Sequence, residues 1–420
     1  MKFDIGSRIA YERKKAGFTQ AQLANKIYLS RANLSRFEKN QSIPSEDTIQ
    51  NISKTLSISI ECFKDNPQNK EIINMIQQIY IHCISDISAP LPNSELKSLE
   101  KTISCFTQEI SVRFLLAAYY YKQYQFEKAD MISDSSIASF LNLNIIQNLP
   151  SEIRKYYYLY IAEKNYVIGN FKQSLVYFEL LILETSNEHE KNFLILKTID
   201  ISFKQAFYGK AFTDVSTFIE NLKNSNESIL LAKAYIILSA VMINLQLFNE
   251  ALDVLKKVEM LIEKYDIKDK KIAVFQQRGR IYSRQGLHEK ALFCFEEASL
   301  FITNPQTRFL IYNSIISTLI ILFRINEAKE KLSLIKSFTL GERERMIVLS
   351  YEGQIALYEG DEKTHWKYQD KAIQYFKANN CYKNLNYIYT FLGNYYFSQN
   401  KYKESANYYK KKEKLNYENH

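Results

Sequence analysis

A spaced pattern of small and aromatic residues recurs along most of this chain and restricts its fold more than any other feature of the sequence. Aligning the chain on the small residue of a Gly/polar-x-aromatic-x-x-small-x-x-x-aromatic pattern gives a series of anchors separated by 37 to 45 residues: Ala129, Ser174, Asp214, Ala251, Ala291, Ala328, His365 and Ser405. A fixed period of roughly 20 to 50 residues is typical of arrays in which each repeat is one supersecondary unit that stacks on its neighbours. The pattern therefore predicts an array of stacked units.

The glycines support the same register. Two positions of the repeat hold most of them, five and twelve residues before an anchor: Gly169, Gly209, Gly286 and Gly360 at the first position, and Gly279, Gly353 and Gly393 at the second. The first position predicts a turn between two helices, and the second predicts a close approach of the two helices of a unit.

The overall composition favours helices. Gly (10) and Pro (6) are scarce in a chain of 420 residues, and apolar residues recur at helical spacing almost without strand signals. We therefore expect an all-α fold with about two to four domain equivalents.

A different pattern occupies residues 19 to 40. Thr19 and Gln22 fit a capping box at the start of one short helix, and Ser30 offers an N-cap for a second helix. Leu23 and Leu34 lie on the apolar faces of these helices. The stretch therefore predicts two short helices joined by a tight turn.

The second of these helices carries a cationic and hydrogen-bonding outer face. That face consists of Arg31, Ala32, Ser35, Arg36 and Lys39, which fall on one side at helical spacing. A solvated surface helix would also place its charges outside. However, a second helix that presents Arg and small polar residues matches the helix-turn-helix geometry, in which that helix enters the DNA major groove.

Residues 5 to 63 resemble a phage-repressor-type (XRE or Cro/CI-like) five-helix DNA-binding domain. The resemblance implies base contacts from Arg31, Ala32 and Arg36, with Ser35 on the same face, and backbone or phosphate contacts from the following residues: Gln20, Asn33, Lys39 and Asn40. Two positions depart from the family pattern. Tyr28 and Asn40 stand where glycines are common, and Tyr tolerates a left-handed backbone poorly. We therefore expect the turn to differ in detail.

The repeats resemble a tetratricopeptide (TPR) array, which implies a right-handed superhelical solenoid of about eight or nine helix pairs. First helices line the concave groove of such arrays. In the consensus register this predicts a peptide-binding set: Asn244, Gln276, Arg280, Arg284, Asn313, Gln354 and Asn394. Amides can clamp the backbone of an extended peptide, and Arg280 or Arg284 could bind a carboxylate. The alternative is that these side chains solvate an empty face.

The polar, proline-containing segment after residue 63 predicts a domain boundary. We place a DNA-binding domain at 1–65, a linker at 66–75 and the repeat domain, for peptide binding and dimerisation, at 76–420. Phosphate-loop, nucleophile-elbow and zinc-ligand spacings were sought and not found, so no catalytic residue, metal or cofactor is predicted.

Five cysteines without a CxxC pair, and an N-terminus without an apolar leader, favour a cytoplasmic protein. The longest apolar run is too short to cross a bilayer, so no membrane interaction is expected. The net charge is +9, and the first 66 residues hold 11 Lys or Arg against 7 Asp or Glu. This excess lies where a DNA-binding domain is predicted.

The order of the two domains resembles the RNPP family of Gram-positive peptide-pheromone receptors, and the length is most similar to the neutral-protease regulator (NprR) type. The resemblance implies a quorum-sensing transcriptional regulator that is not an enzyme and that forms a homodimer or higher homo-oligomer. Its partners would be a double-stranded DNA operator and a short signalling peptide in the TPR groove. Two alternatives remain. One is an adaptor that binds a response regulator, and the other is a phosphatase of the Rap kind, although no group in residues 70 to 150 indicates such chemistry.

Overall fold

The computed structural model describes residues 5–63, 70–85, 91–92, 94, 96, 106–123, 125–133, 150–223, 225–302, 305–337, 341–379 and 381–418. Helices dominate these ranges, which contain no strand. The prediction of an all-α fold is confirmed.

The N-terminal domain contains four α-helices and a terminal 3₁₀ turn. Its elements are α1 (Ile5–Lys15), α2 (Gln20–Lys26), α3 (Arg31–Glu38), α4 (Glu46–Leu56) and the 3₁₀ helix Ile60–Phe63. The predicted N-caps form: Thr19 makes a complete capping box with Gln22, and Ser30 accepts from the backbone N–H of Asn33. A small apolar core joins the helices through the following residues: Ile9, Leu23, Ala24, Ile27, Leu34, Ile52, Leu56 and Phe63.

Helix α1 buries two of its basic residues, Arg8 and Arg13. Both are buried, and Arg8 is only 1% exposed. Arg13 forms a two-pronged ion pair with Glu38 at 2.6 and 3.0 Å. Both arginines are buried because α1 has two packed faces: one contacts the N-terminal core, and the other contributes Tyr11 to the core of the repeats.

Helix α5 (Lys70–Ile84) begins inside the segment expected to be a linker. Residues 70–75 are therefore helical, which corrects that part of the prediction, while 66–69 lie outside the described residues. Ile72, Ile76 and Ile79 of α5 are buried in the repeat core, so this helix belongs structurally to the array.

Eight helix pairs follow within the described ranges, and the second helix of each contains one of the predicted anchor positions. They are α6 (Phe106–Lys122) with α7 (Phe126–Ser133), α8 (Ser151–Val167) with α9 (Phe171–Glu184), α10 (Glu188–Lys204) with α11 (Tyr208–Leu222), α12 (Ser228–Asn244) with α13 (Phe248–Tyr265), α14 (Lys271–Arg284) with α15 (His288–Ser299), α16 (Pro305–Ile321) with α17 (Ile325–Lys336), α18 (Glu342–Tyr358) with α19 (Glu362–Ala378), and α20 (Tyr382–Ser398) with α21 (Tyr402–Glu418). The chain divides into two compact units, Met1–Val241 and Met242–His420.

The register of the α10/α11 pair is corrected by the structure. A residue with positive φ stands between the two helices of each pair from α8/α9 onwards, and the buried anchor residue follows five positions later. The positive-φ residues are Gly169, Ala206, Gln246, Gly286, Phe323, Gly360 and Asn400. In the α10/α11 pair this places Ala206 in the turn and Ala211, which is 0% exposed, at the anchor. The predicted anchor Asp214 was wrong, because Gly209 lies inside α11 and does not form the turn.

At several anchors a short polar contact joins the two helices of a pair. Ser174 Oγ donates to the Ala162 carbonyl at 2.9 Å, and Ser405 Oγ donates to the Gly393 carbonyl at 2.8 Å. A Cβ added to Gly393 would lie 2.9 Å from the ring of Tyr409. This position therefore needs glycine for close packing, as the sequence indicated.

Within the described part of the chain, no helix is both long and apolar enough to cross a bilayer.

Candidate functional site

The predicted DNA-reading face of α3 is accessible. Arg31, Ala32, Arg36 and Lys39 are all exposed, and Ser35 is half-buried. No hydrogen bond or ion pair within the described residues holds the side chains of Arg31, Arg36 or Lys39. Their donors are therefore directed to solvent, as a surface that reads another molecule requires.

Two of the predicted phosphate contacts serve the domain itself. Gln20 Nε2 donates to Glu38 Oε2 at 2.8 Å, so Glu38 joins Arg13 of α1 and Gln20 of α2 to α3. Asn40 Oδ1 accepts from the backbone N–H of Gly6 at 3.0 Å and ties the end of α3 to the start of α1. Both side chains hold α3 in place, and their contacts with the DNA backbone stay a prediction. Asn33 is exposed at the start of α3.

The turn between α2 and α3 contains a strained residue. Tyr28 has φ 58° and its side chain is 97% exposed, so this bulky residue adopts the left-handed conformation that the sequence made us doubt. The backbone N–H of Leu29 donates to the Ala24 carbonyl at 2.9 Å and closes the end of α2. Asn40, with φ 59°, ends α3 in the same way.

A polar cluster connects the N-terminal domain to the first helix of the array. The Glu109 carboxylate accepts from the Tyr11 hydroxyl at 2.8 Å, from Lys15 at 3.0 Å and from Arg113 at 2.7 Å. Burial favours a raised pKa for Glu109, but Lys15, the Tyr11 hydrogen bond and Arg113 together lower the pKa below its usual value. Burial and the Glu109 charge raise the pKa of Tyr11, so its hydroxyl stays protonated and donates.

In residues 242–420, several predicted peptide-binding side chains connect consecutive first helices. Arg284 Nη2 donates to Asn244 Oδ1 at 3.0 Å, the Tyr351 hydroxyl donates to Asn313 Oδ1 at 2.9 Å, and the Tyr387 hydroxyl donates to Gln354 Oε1 at 3.2 Å. We call the face of the first helices that carries these contacts the first-helix wall: Asn244, Arg284, Asn313, Tyr351, Gln354 and Tyr387.

Gln354 does not fit its predicted role. It is 0% exposed, and its Nε2 donates to Ser350 Oγ at 3.1 Å while its Oε1 accepts from Tyr387. Gln369 Nε2 also donates to Ser350 Oγ at 3.2 Å. A residue enclosed in such a network has no surface to offer a peptide, so we correct its assignment to a packing residue that connects two units.

The other predicted peptide contacts keep accessible surface. Asn394 is exposed, and the Tyr409 hydroxyl donates to its side chain. Gln276 and Arg280 are half-buried on α14, and Arg280 Nη1 donates to Gln277 Oε1 at 3.0 Å. Their role in peptide binding stays a prediction.

The sequence reasoning missed two kinds of site residue. The sequence pattern did not single out Tyr351 and Tyr387, yet burial raises the pKa of both and keeps their hydroxyls as donors within the wall. Asp200 lies before the first residue of the predicted peptide-binding set and was also missed. It accepts from the Tyr166 hydroxyl at 2.8 Å and joins the first helices α8 and α10. Ala211, three residues before Asp214, was the signal that could have corrected the register.

No group of three or more His, Cys, Asp or Glu side chains in the described ranges could hold a metal ion.

Comparison with known proteins agrees with this division of the chain. Residues 9–61 match the helix-turn-helix family model HTH_3. Over 85 residues the chain is 27% identical to the HTH-type transcriptional regulator ImmR of Bacillus subtilis (strain 168). This matched stretch covers 20% of this chain and 67% of that protein.

Two solved structures share the fold of the array. A Rap protein complexed with Competence and Sporulation Factor superimposes with a TM-score of 0.64 at 12% identity, covering 84% of this chain and 99% of that one. The apo form of the quorum sensor NprR from B. thuringiensis gives a TM-score of 0.57 at 15% identity, covering 82% and 96% respectively. The chain therefore joins a helix-turn-helix domain to the helical array of Rap proteins and NprR, which is the combination implied by its resemblance to the RNPP regulators.

Proposed function

We propose that this chain is a transcriptional regulator that binds an operator through its helix-turn-helix domain and is controlled by a short signalling peptide bound to its array. The observation that carries the proposal is the combination of an open cationic face on α3 with a helix α1 that is part of the array core. The α3 face can read DNA, and a movement of the array can change the position of α3 through α1.

The DNA-binding half rests on the outer face of α3. Arg31 and Arg36 can each form two-pronged hydrogen bonds with guanine, and the Ala32 methyl can contact thymine. Lys39, at the end of the same face, can neutralise a phosphate. Glu38 fixes this helix against α1 and α2, because its carboxylate accepts from both Arg13 and Gln20. The reading helix is thus preorganised.

The peptide-binding half rests on the first-helix wall and on two structural neighbours. One neighbour was solved with Competence and Sporulation Factor, and the other is described as a quorum sensor. The exposed Arg284 and the half-buried Asn244 and Asn313 on this wall offer the donors and acceptors that an extended peptide backbone requires.

The contact between α1 and the array supplies a route for control. Tyr11 is fully buried in the array core, and Glu109 of α6 fixes it together with Lys15. A shift of α6 would therefore move α1 and, through Glu38, the reading helix α3. In a homodimer the two reading helices must lie about 34 Å apart, or a multiple of it, so a small shift would change operator affinity.

A titration of DNA binding and native mass tests the proposal. The full chain is titrated against a library of short duplexes, with and without a pool of short peptides secreted by its host. We expect a dimer whose DNA affinity changes when a peptide from the pool binds. A chain that binds no peptide, or binds one without any change in DNA affinity, would contradict the proposal.

Variants at the contact test the route. Glu109→Gln removes the ion pairs with Lys15 and Arg113, and we expect it to retain peptide and DNA binding but to weaken their coupling. Glu184→Gln is the matched control, because Glu184 pairs with Arg154 at 2.7 Å away from α1. Equal effects of the two variants on coupling would exclude a special role for the contact.

A second candidate function is an adaptor whose array binds a protein, such as a response regulator, while DNA binding is secondary. The superposition over 99% of a Rap protein favours this alternative. Incubation with purified response regulators distinguishes the two: a stable complex that is insensitive to operator DNA supports the adaptor, and DNA binding that responds to peptide supports the regulator.

A further inference from the structure

We infer, on the basis of the proposed function, that the peptide bound by the array carries a carboxylate and that Arg284, oriented by Asn244, receives it. The inference names the chemistry of the ligand, which the fold alone leaves open. It rests on the distribution of charge among the helices and on the hydrogen bonds of one guanidinium.

Acidic residues are absent from three consecutive first helices around Arg284. The first helices α12, α14 and α16 contain no Asp or Glu, and their basic residues are Lys233, Lys271, Arg278, Arg280, Arg284 and Arg308. The second helix α15 carries Glu289, Glu296 and Glu297. Helices α12, α14 and α16, which present Asn244, Arg284 and Asn313 of the first-helix wall, therefore contain basic residues and no acidic residue, and an anionic ligand is favoured beside them.

Arg284 is held without a carboxylate partner. Its Nη2 donates to Asn244 Oδ1 at 3.0 Å, and its Nη1 lies 3.5 Å from the carbonyl oxygen of Ile243. Both acceptors are neutral, and no carboxylate among the described residues lies within ion-pair distance of this exposed guanidinium. The charge is thus available to a ligand.

Two other arginines in residues 242–420 have a carboxylate partner. Arg278 Nη2 pairs with Glu259 Oε2 at 2.6 Å, and Arg324 makes two contacts of 2.6 Å with the Glu327 carboxylate. Arg284 differs because its neighbours orient the group but leave its charge unpaired.

The geometry of the guanidinium favours a carboxylate. Arginine has five N–H donors in a planar fork, which matches the two oxygens of a carboxylate. Asn244 and Ile243 use one donor each, so donors remain for a ligand. In a peptide, this carboxylate is either an Asp or Glu side chain or the C-terminus, and both present the same two oxygens.

Four synthetic mixtures of seven-residue peptides, each labelled with an uncharged fluorophore that has no carboxylate, distinguish these sources. The first contains Asp and Glu and has a free C-terminus, the second is amidated at the C-terminus, the third has Asn and Gln in place of Asp and Glu, and the fourth combines both changes. Binding of each mixture to the full chain is measured by fluorescence anisotropy.

We expect the fourth mixture to bind about tenfold to a hundredfold more weakly than the first, because hydrogen bonds to charged groups are the stronger ones. The second and third mixtures then show which carboxylate is responsible. Arg284→Ala should remove the difference between the mixtures, and Arg284→Lys should restore part of it. Arg324→Ala is the matched control, because its guanidinium is already paired with Glu327, and it should preserve the difference.

The outcomes separate this inference from the proposed function. Equal binding of all four mixtures, or a difference that persists in a folded Arg284→Ala variant, would overturn the inference while peptide binding stands. Failure of every mixture to bind would overturn peptide binding as well. Asn244→Ala gives a second test, since it retains the charge but removes its orienting acceptor, and it should reduce the difference without abolishing binding.

Discussion

Substitutions at two glycines of neighbouring units should have opposite effects on stability. Gly169 has φ +84° in the turn between α8 and α9, whereas Gly209 lies within α11, where an added Cβ would have no neighbour within 4 Å. Gly169→Ala places an L-residue in the left-handed region, but Gly209→Ala places one in a helix. The sequence pattern assigned both glycines to turns, so the pair tests the corrected register directly.

The expected magnitudes follow from the backbone. A left-handed conformation costs an L-residue about 1–2 kcal/mol, and the reduced entropy of the unfolded chain returns about 0.4–1 kcal/mol. Gly169→Ala should therefore destabilise its unit by about 1 kcal/mol. Gly209→Ala should stabilise by about 0.5–1 kcal/mol, because alanine is the better helix former. Ala206→Gly should stabilise by about 0.5 kcal/mol, since Ala206 has φ 65°.

Native-state hydrogen exchange read by mass spectrometry is the appropriate assay. Repeat units open locally, so a change in one unit appears in the amides of that unit and its neighbours. A stabilisation of 1 kcal/mol slows exchange about fivefold. We expect slower exchange across residues 188–222 in both Gly209→Ala and Ala206→Gly. Faster exchange in both variants would restore Asp214 as the anchor and refute the reasoning.

Four further substitutions test the DNA-binding face and the core. Arg31→Ala should cost about 1–3 kcal/mol of binding free energy on a specific site and relax base preference. Lys39→Ala should weaken binding to all sequences alike and reduce the slope of log affinity against log salt concentration by about 1. Equal losses of affinity by Arg31→Ala on specific and random duplexes would contradict base reading. Gly6→Ala places a Cβ 1.7 Å from a backbone carbonyl of α3, and it should cost about 3 kcal/mol in the N-terminal domain and abolish DNA binding while the array melts as before. Burial lowers the pKa of His365, whose Nδ1 lies 2.8 Å from the Gly353 carbonyl oxygen. The unfolded state therefore binds the proton more tightly, and stability of residues 242–420 should fall as the pH drops through about 6.5. Urea titrations followed by the fluorescence of the single tryptophan should show this slope, and His365→Gln should flatten it; an unchanged slope would mean that another group is responsible.

Much of the local structure could be predicted from neighbouring residues in the sequence. Thr19 and Gln22 cap α2, and Ser30 caps α3, because the groups that make these contacts lie within one helical turn. The helix pairs were located for a related reason, since the small residue of each unit must meet its partner helix at a fixed separation along the chain. Both are properties of short stretches.

Other features depended on elements that are distant in the sequence. The sequence of helix α1 resembles that of an ordinary surface helix. In the structure, Tyr11 is buried in the array core and donates to Glu109, which lies more than ninety residues later in the chain. Gln354 has the residue type and the repeat position of a residue that contacts a bound peptide, but it is buried and hydrogen-bonded to Ser350 and Tyr387. Burial depends on which helix packs against a face, and helical periodicity does not contain that information.

By itself, the sequence determined the all-α class, the positions of the helix pairs and the face of α3 that carries Arg31 and Arg36. These features follow from periodicity and from capping, which act over a few residues. Only the tertiary structure decided that Ala211 is the anchor of its unit, that α1 joins the array, and that Arg284 keeps its charge unpaired beside Asn244. Each of these depends on packing or pairing between helices that are far apart in the chain, where the identity of the partner decides whether a side chain is buried, paired or open to a ligand.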